Sequence, residues 1–137
     1  MNLKETLVVC GDLRCVDEAR RFVRGIAGRL NMPDEKVYHL DLAIVEACTN
    51  IARHAYPDLK GEINLASWTS EGRLWLEIRD DGPAFDPLEV EEPDLERYIR
   101  EGKKGGFGCF LIRSLVDGAA YRRENEQNVL TVWMKLP

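Results

Sequence analysis

Apolar residues along this chain follow two different rhythms. From Val16 they recur at positions 16, 19, 22, 23, 26, 27 and 30, the spacing of one helical face. The segment 31-NMPDEK-36 closes that helix and opens another, because Pro33 followed by Asp34 and Glu35 is first-turn chemistry. The second helix is expected to run to about Ala55, with Val37, Leu40, Ile44, Ala47, Cys48 and Ile51 on its buried side, and Tyr56-Pro57-Asp58 stops it. Residues 62–69 (EINLASWT) and 73–80 (RLWLEIRD) alternate instead, which predicts two strands joined by a hairpin at 70-SEG-72. Leu74, Leu76, Ile78 and Asp80 then share one face of the second strand. A first strand is expected over 3–10, with Asp12 capping the first helix or sitting in the turn before it. A third helix is expected over about 107–117, and a closing hairpin over 119–125 and 128–136 that turns around Glu126 and Gln127. Residues 81–104 keep neither rhythm. They contain Pro83, Pro87 and Pro93, many acids and one short helical stretch near 94–101, and they read as a functional loop or lid.

The order is strand, helix, helix, two strands, lid, helix, two strands. Strands clustered in hairpins predict an α+β domain: a mainly antiparallel sheet with helices on one face. The 137 residues suit one domain, spanning 1–137. A chain of that length can bury roughly two-thirds of its unfolded surface in a single core. A net charge of −5 argues against general nucleic-acid binding, which needs a basic surface. The N-terminal apolar run is only LVV, too short for a signal peptide, and nothing approaches the ~18 apolar residues of a membrane span. Cys10, Cys15, Cys48 and Cys109 form no C-x-x-C pair, and all four are read as reduced and structural. The expected address is the cytoplasm.

Three short segments carry chemistry. In 45-VEACTNIARHAY-56, Glu46, Asn50 and His54 lie one turn apart on one stripe of the second helix. That is either the solvated edge of an amphipathic helix or a base beside an oxygen ligand for a hard cation such as magnesium. In 78-IRDDGPAFDP-87, Asp80 ends a buried strand and Gly82 follows. The pair is either a strand-capping Asp-Gly turn or an acceptor for an exocyclic amine, with a bare backbone that lets the base approach closely. In 103-KKGGFGCFLIR-113, Gly105, Gly106 and Gly108 precede a helix, with Lys103 and Lys104 beside them. That segment is either a hinge or a helix start offering backbone N–H groups to an anion. It is neither a P-loop nor a Rossmann fingerprint.

Together, in this order and spacing, the three motifs resemble those of the Bergerat-fold ATP-binding proteins, the group that includes gyrase, histidine kinases and MutL. Within that group the chain is similar to the small bacterial anti-sigma-factor serine/threonine kinases. The likeness runs from Leu3 to Leu136 and includes an asparagine before the last strand. Departures are Ala84, where many relatives of the wider group have a second glycine, and lysines rather than an arginine in the lid. The resemblance implies a Bergerat-type two-layer α/β sandwich, with a mixed, mainly antiparallel sheet and an ATP lid. It implies that Glu46 is the catalytic base, that Asn50 holds Mg²⁺, and that Asp80 and Gly82 bind adenine. It further implies that Lys104, Gly105, Gly106, Phe107 and Gly108 surround the phosphates. His54 is then a structural neighbour of the site. The activity implied is transfer of the γ-phosphoryl of ATP to a STAS-type antagonist. A sigma factor is implied as second partner, and a homodimer through the first strand and helix. A nucleotide-dependent binding module without catalysis is the competing reading, and Glu46 counts against it.

Overall fold

The computed structural model describes residues 4–54, 61–88 and 108–137. The expected stop at 56–58, most of the lid with its short helix at 94–101, and Lys103, Lys104, Gly105, Gly106 and Phe107 lie outside the described residues. Strand β1 is Glu5–Cys10, helix α1 is Val16–Arg29 and helix α2 is Asp34–His54. Strands β2 (Glu62–Ser70) and β3 (Arg73–Asp80) follow, then helix α3 (Gly108–Leu115) and strands β4 (Gly118–Glu124) and β5 (Gln127–Lys135). The sheet order is β1-β2-β3-β5-β4. The mainly antiparallel sheet that the hairpins predict is antiparallel at every described pairing. No described helix is long and apolar enough to cross a membrane.

Local chemistry explains the boundaries. Asp12 caps a short 3-10 turn, Leu13–Cys15, its Oδ1 accepting the Arg14 N–H at 2.9 Å, so it belongs to the turn before α1. Helix α1 ends in a Schellman motif: Asn31 adopts φ 55°, its N–H reaches the Gly28 carbonyl, and the Met32 N–H reaches that of Ala27. The hairpin between β2 and β3 turns on Glu71 and Gly72, both at positive φ, as the two-residue primed turns require. The β4–β5 turn is Asn125 and Glu126, at φ 49° and 63°, one residue earlier than the sequence pattern suggests. Asparagine tolerates the left-handed region well, and Glu126 follows it there although its side chain has no such preference.

Cys10 and Cys15 are joined as a disulfide, with Cα atoms 5.8 Å apart, which corrects the reading of all four cysteines as reduced thiols. The 3-10 turn doubles the chain back between them, a proximity that spacing alone does not reveal. Cys48 is a free, buried thiol in α2, and burial pushes its pKa up to about 12, which makes it inert.

Register divides the sheet into two faces. Val9, Ile63, Leu65, Leu74, Leu76, Ile78, Leu130, Val132 and Met134 point to one side. There they pack with Ala19, Val23, Ile26 and Ala27 of α1, Leu40, Ile44, Ala47 and Cys48 of α2, and Ile112 of α3. The other side carries Trp68, Trp75 and Trp133 in register across β2, β3 and β5. A side chain at Gly118 would run into the Trp133 indole, so a glycine there lets that ring lie flat across β4.

Helix α1 is locked onto α2 by Asp41, which is buried. It receives Arg20 Nε at 3.0 Å, Arg20 Nη2 at 3.1 Å and Arg24 Nη2 at 2.8 Å. Burial pulls the Asp41 carboxyl upward, but the two guanidiniums, Arg20 first, outweigh it and leave the pKa below its ordinary value. The stabilisation is therefore complete above the ordinary carboxylate range and fades as pH falls through the lowered folded value. Asp41→Ala is expected to cost about 1–3 kcal/mol in urea unfolding at pH 7. That is less than the cost of a fully buried pair, because both arginines keep access to water. The deficit should shrink toward zero as the titration is repeated at progressively lower pH.

Candidate active site

One stripe of α2 and the ends of three strands enclose a cleft of about 430 Å³, counting its open mouth. Helix α2 supplies Ala47, Asn50, Ile51 and His54, the i, i+3, i+4, i+7 positions of one face. Ile78 and Asp80 of β3, Leu130 and Asn128 of β5, and Tyr121 of β4 form the floor. Pro83, Phe85 and Pro87, in the segment after β3, close the remaining side. At the mouth the His54 and Phe85 rings stack with centroids 5.0 Å apart and planes 23° from parallel.

Asp80 continues the inward phase of Leu74, Leu76 and Ile78, which carries its carboxylate to the floor with only 4% of the residue exposed. Oδ1 accepts the Gly82 N–H at 2.9 Å and the Asn128 side-chain amide at 3.0 Å. Burial raises its pKa above the ordinary value, opposed by the Asn128 and Gly82 hydrogen bonds and by the nearby Arg123 charge. The two sequence readings of Asp80 and Gly82 thus coexist, a capped Asp-Gly turn and a carboxylate lining a cleft. Gly82 is itself buried, and its carbonyl accepts Arg123 Nη1 at 2.8 Å.

Glu46 sits one turn before Asn50 on α2, half-buried, and is not among the described residues that line the cleft. One helical turn is about 5.4 Å, so Glu46 lies just beyond the cleft toward the start of α2. Gly108 is the first residue of α3, which packs against α2. Lys104, Gly105, Gly106 and Phe107 belong to the undescribed segment. Among the described residues no three His, Cys, Asp or Glu side chains gather into a metal cluster. A cation held at Asn50 would therefore draw most of its ligands from phosphate oxygens and water. That donor set suits magnesium, which keeps several waters and shares a nucleotide's phosphates.

Sequence reading passed over several lining residues. Phe85 lies in the 78-IRDDGPAFDP-87 segment already singled out, and Tyr121 carries no signal by itself. Asn128 does: residues 128, 130, 132 and 134 form the buried phase of β5, and a polar residue opens it. His54, read as a neighbour of the site, is part of the cleft wall.

This chain belongs to the histidine kinase-like ATPase domain family, whose profile matches residues 10–134. Among its relatives are the serine-protein kinases RsbW. That of Bacillus cereus is 30% identical over 115 residues, covering 81% of this chain and 72% of the relative. That of Oceanobacillus iheyensis is 33% identical over 130 residues, covering 88% and 78%. The fold is also similar to the structure of the RsbU and RsbW domains of Rv1364c from Mycobacterium tuberculosis, with a TM-score of 0.70 and 15% identity. That likeness covers 98% of this chain and about a third of the other (32%). The SiaB–SiaC complex structure from Pseudomonas aeruginosa matches with a TM-score of 0.60 at 10% identity, covering 95% of this chain and 88% of that one.

The raised pKa of Asp80 means that its ionised form weakens the fold at neutral pH. Its contribution becomes favourable as pH falls through the folded value and is complete below the ordinary value of 3.8. Asp80→Asn keeps an oxygen for Gly82 and Asn128 but turns a donor toward any bound amine. Thermal unfolding at pH 7 is expected to show a midpoint equal to or above that of the parent. Titration with ATP is expected to show affinity reduced by roughly 10-fold or more, the scale of a lost charged hydrogen bond.

Proposed function

We propose that this protein is an anti-sigma factor with ATP-dependent serine/threonine kinase activity, acting on a STAS-type antagonist. One observation carries the reading: a buried carboxylate, Asp80, and an amide from α2, Asn50, meet in one cleft of a histidine kinase-like ATPase domain. The kinship with serine-protein kinases supports phosphoryl transfer to a hydroxyl. The apolar walls from Ala47, Ile51, Ile78 and Leu130 suit a purine, and Asp80 suits its exocyclic amine.

The α- to γ-phosphates would run from the base toward Glu46 and the helix start at Gly108. Mg²⁺, held by the Asn50 side-chain oxygen, would supply charge neutralisation on the phosphates. Glu46 orients the incoming serine or threonine hydroxyl and accepts its proton as the oxygen bonds to the γ-phosphorus. The bond to the bridging oxygen breaks, and ADP leaves with that electron pair. With Gly108 at the head of α3, Gly105, Gly106 and Phe107 would offer backbone N–H donors to the phosphate oxygens. Lys104 adds positive charge. Phosphoryl transfer asks little more of a protein than this positioning and neutralisation. The regulatory reading completes the proposal: a sigma factor as second partner, a homodimer as the working unit, and the cytoplasm as its place.

The test incubates the purified protein with Mg²⁺, γ-labelled ATP and each antagonist-type protein encoded in the same genome, beside a Glu46→Gln variant. Label is expected on a serine or threonine of one antagonist, with the variant slower by ~10²–10⁴ while still binding ATP. Binding of ATP by the parent without transfer to any antagonist would replace the kinase with a nucleotide-dependent binding module.

A further inference from the structure

Asn128 occupies an unusual place. Its Cα pairs with that of Asp80 across β3 and β5, and it is itself buried. Both halves of its amide are engaged. The nitrogen donates to Asp80 Oδ1 at 3.0 Å and to the Pro83 carbonyl at 2.8 Å. The oxygen accepts the Phe85 N–H at 3.1 Å, the Tyr121 hydroxyl at 2.6 Å and Arg123 Nη1 at 3.2 Å. One side chain thus ties the floor carboxylate, the turn that follows β3 and strand β4 into a single network.

We infer that Asn128 is the positioning residue for base recognition: by holding Asp80 Oδ1, it leaves Oδ2 for the ligand's amine and so selects a 6-aminopurine. The inference rests on the nucleotide reading of the cleft and says which residue outside the three sequence motifs gives that cleft its preference. Both described hydrogen bonds to Asp80 fall on Oδ1, one from Gly82 in its own turn and one from Asn128. The Gly82 bond alone leaves the plane of the carboxylate free to twist about its Cβ–Cγ bond, which swings the second oxygen out of line with a ligand's amine. A second donor, fixed on the neighbouring strand, removes that freedom. The amide resists turning over, because reversal would oppose like to like at the Phe85 N–H, Arg123 Nη1, Asp80 Oδ1 and the Pro83 carbonyl, and only the Tyr121 hydroxyl could turn to accept. The same amide grips Pro83 and Phe85, so the wall beside the base and the carboxylate beneath it are set by one group. A polar network so fully satisfied is rigid. A carbonyl at the purine 6-position would meet the carboxylate acceptor to acceptor and be rejected, as sites built for one hydrogen-bonding partner reject its mismatch.

The experiment measures binding of ATP, GTP and purine riboside triphosphate, which lacks the 6-amine, to the full chain and to Asn128→Ala. The parent should prefer ATP to the amine-free analogue by roughly 10- to 100-fold, the scale of a charged hydrogen bond, and should bind GTP more weakly than ATP. Asn128→Ala should bind ATP about tenfold more weakly while its affinity for the analogue changes little, so that the ratio falls toward one. Tyr121→Phe removes one donor to the Asn128 oxygen and should lower the same ratio by a smaller factor. Equal weakening of ATP and analogue in Asn128→Ala would overturn the inference, because loss of local support affects both alike. Should Asn128→Ala not fold, an unchanged ratio in Tyr121→Phe overturns it. A parent that binds nucleotides without regard to the amine overturns it too, yet leaves the kinase reading standing. A parent that binds none of the three removes the nucleotide reading itself, and this inference with it.

Discussion

A slip of one residue between β3 and β5 would turn Asp80 from the helix-covered face to the open one, because side chains alternate along a strand. Everything at the cleft depends on that register. Leu74, Leu76 and Ile78 stand opposite Met134, Val132 and Leu130 in the core, and the next inward pair is Asp80 with Asn128. The apolar pairs make the slip prohibitive, since turning β3 over would expose Leu74, Leu76 and Ile78 at once, each worth about 1.5–3 kcal/mol of burial. Hydrophobic packing thereby delivers a polar pair to the end of the sheet. The Asn128 and Gly82 hydrogen bonds offset part of the cost of burying the Asp80 carboxylate, and the remainder shows in its raised pKa.

Helix α2 must be held as firmly as the sheet, since Asn50 and His54 reach the cleft from its final turns. Two devices hold it. Leu40, Ile44, Ala47 and Cys48 are embedded in the core, and Asp41 fastens the other flank to Arg20 and Arg24 of α1. The helix thus has an apolar anchor on one side and an ionic one on the other. The stripe bearing Glu46, Asn50 and His54 is what remains between them.

Much of this fold is written in local patterns. The 16-19-23-26 spacing of α1, the alternation of β2 and β3, and the 31-NMPDEK-36 junction appear where the sequence places them. The inward phase of Asp80 also follows from its neighbours alone. Other features depend on contacts between distant residues. Nothing near Asn128 says which strand will lie beside β5, so its partnership with Asp80, 48 residues away, has no local signature. The disulfide between Cys10 and Cys15 depends on a 3-10 turn that Asp12 caps, and the C-x₄-C spacing alone carries no such message. The β4–β5 turn shifts by one residue because Glu126 accepts a left-handed backbone that its side chain would not choose. That is a tertiary demand overriding a local preference. Of the three chemical motifs, the α2 stripe and the Asp80 turn meet at the cleft, while the glycine segment enters the described residues only at Gly108.

Ala47, Ile78 and Leu130 are at once members of the hydrophobic core and walls of the cleft. A ligand that fills the cleft therefore rests directly on the residues whose packing decides whether the chain is folded. Any molecule that binds only the folded form adds RT ln(1 + [L]/Kd) to its stability, about 2.7 kcal/mol at a hundredfold excess over Kd. For a domain of this size, that is a large part of the usual margin of roughly 5–15 kcal/mol. A larger or more polar residue at any of the three positions would therefore alter what the cleft can hold and loosen the fold in the same step. Occupancy and lifetime are thus coupled, and the unliganded protein is the one most exposed to proteolysis.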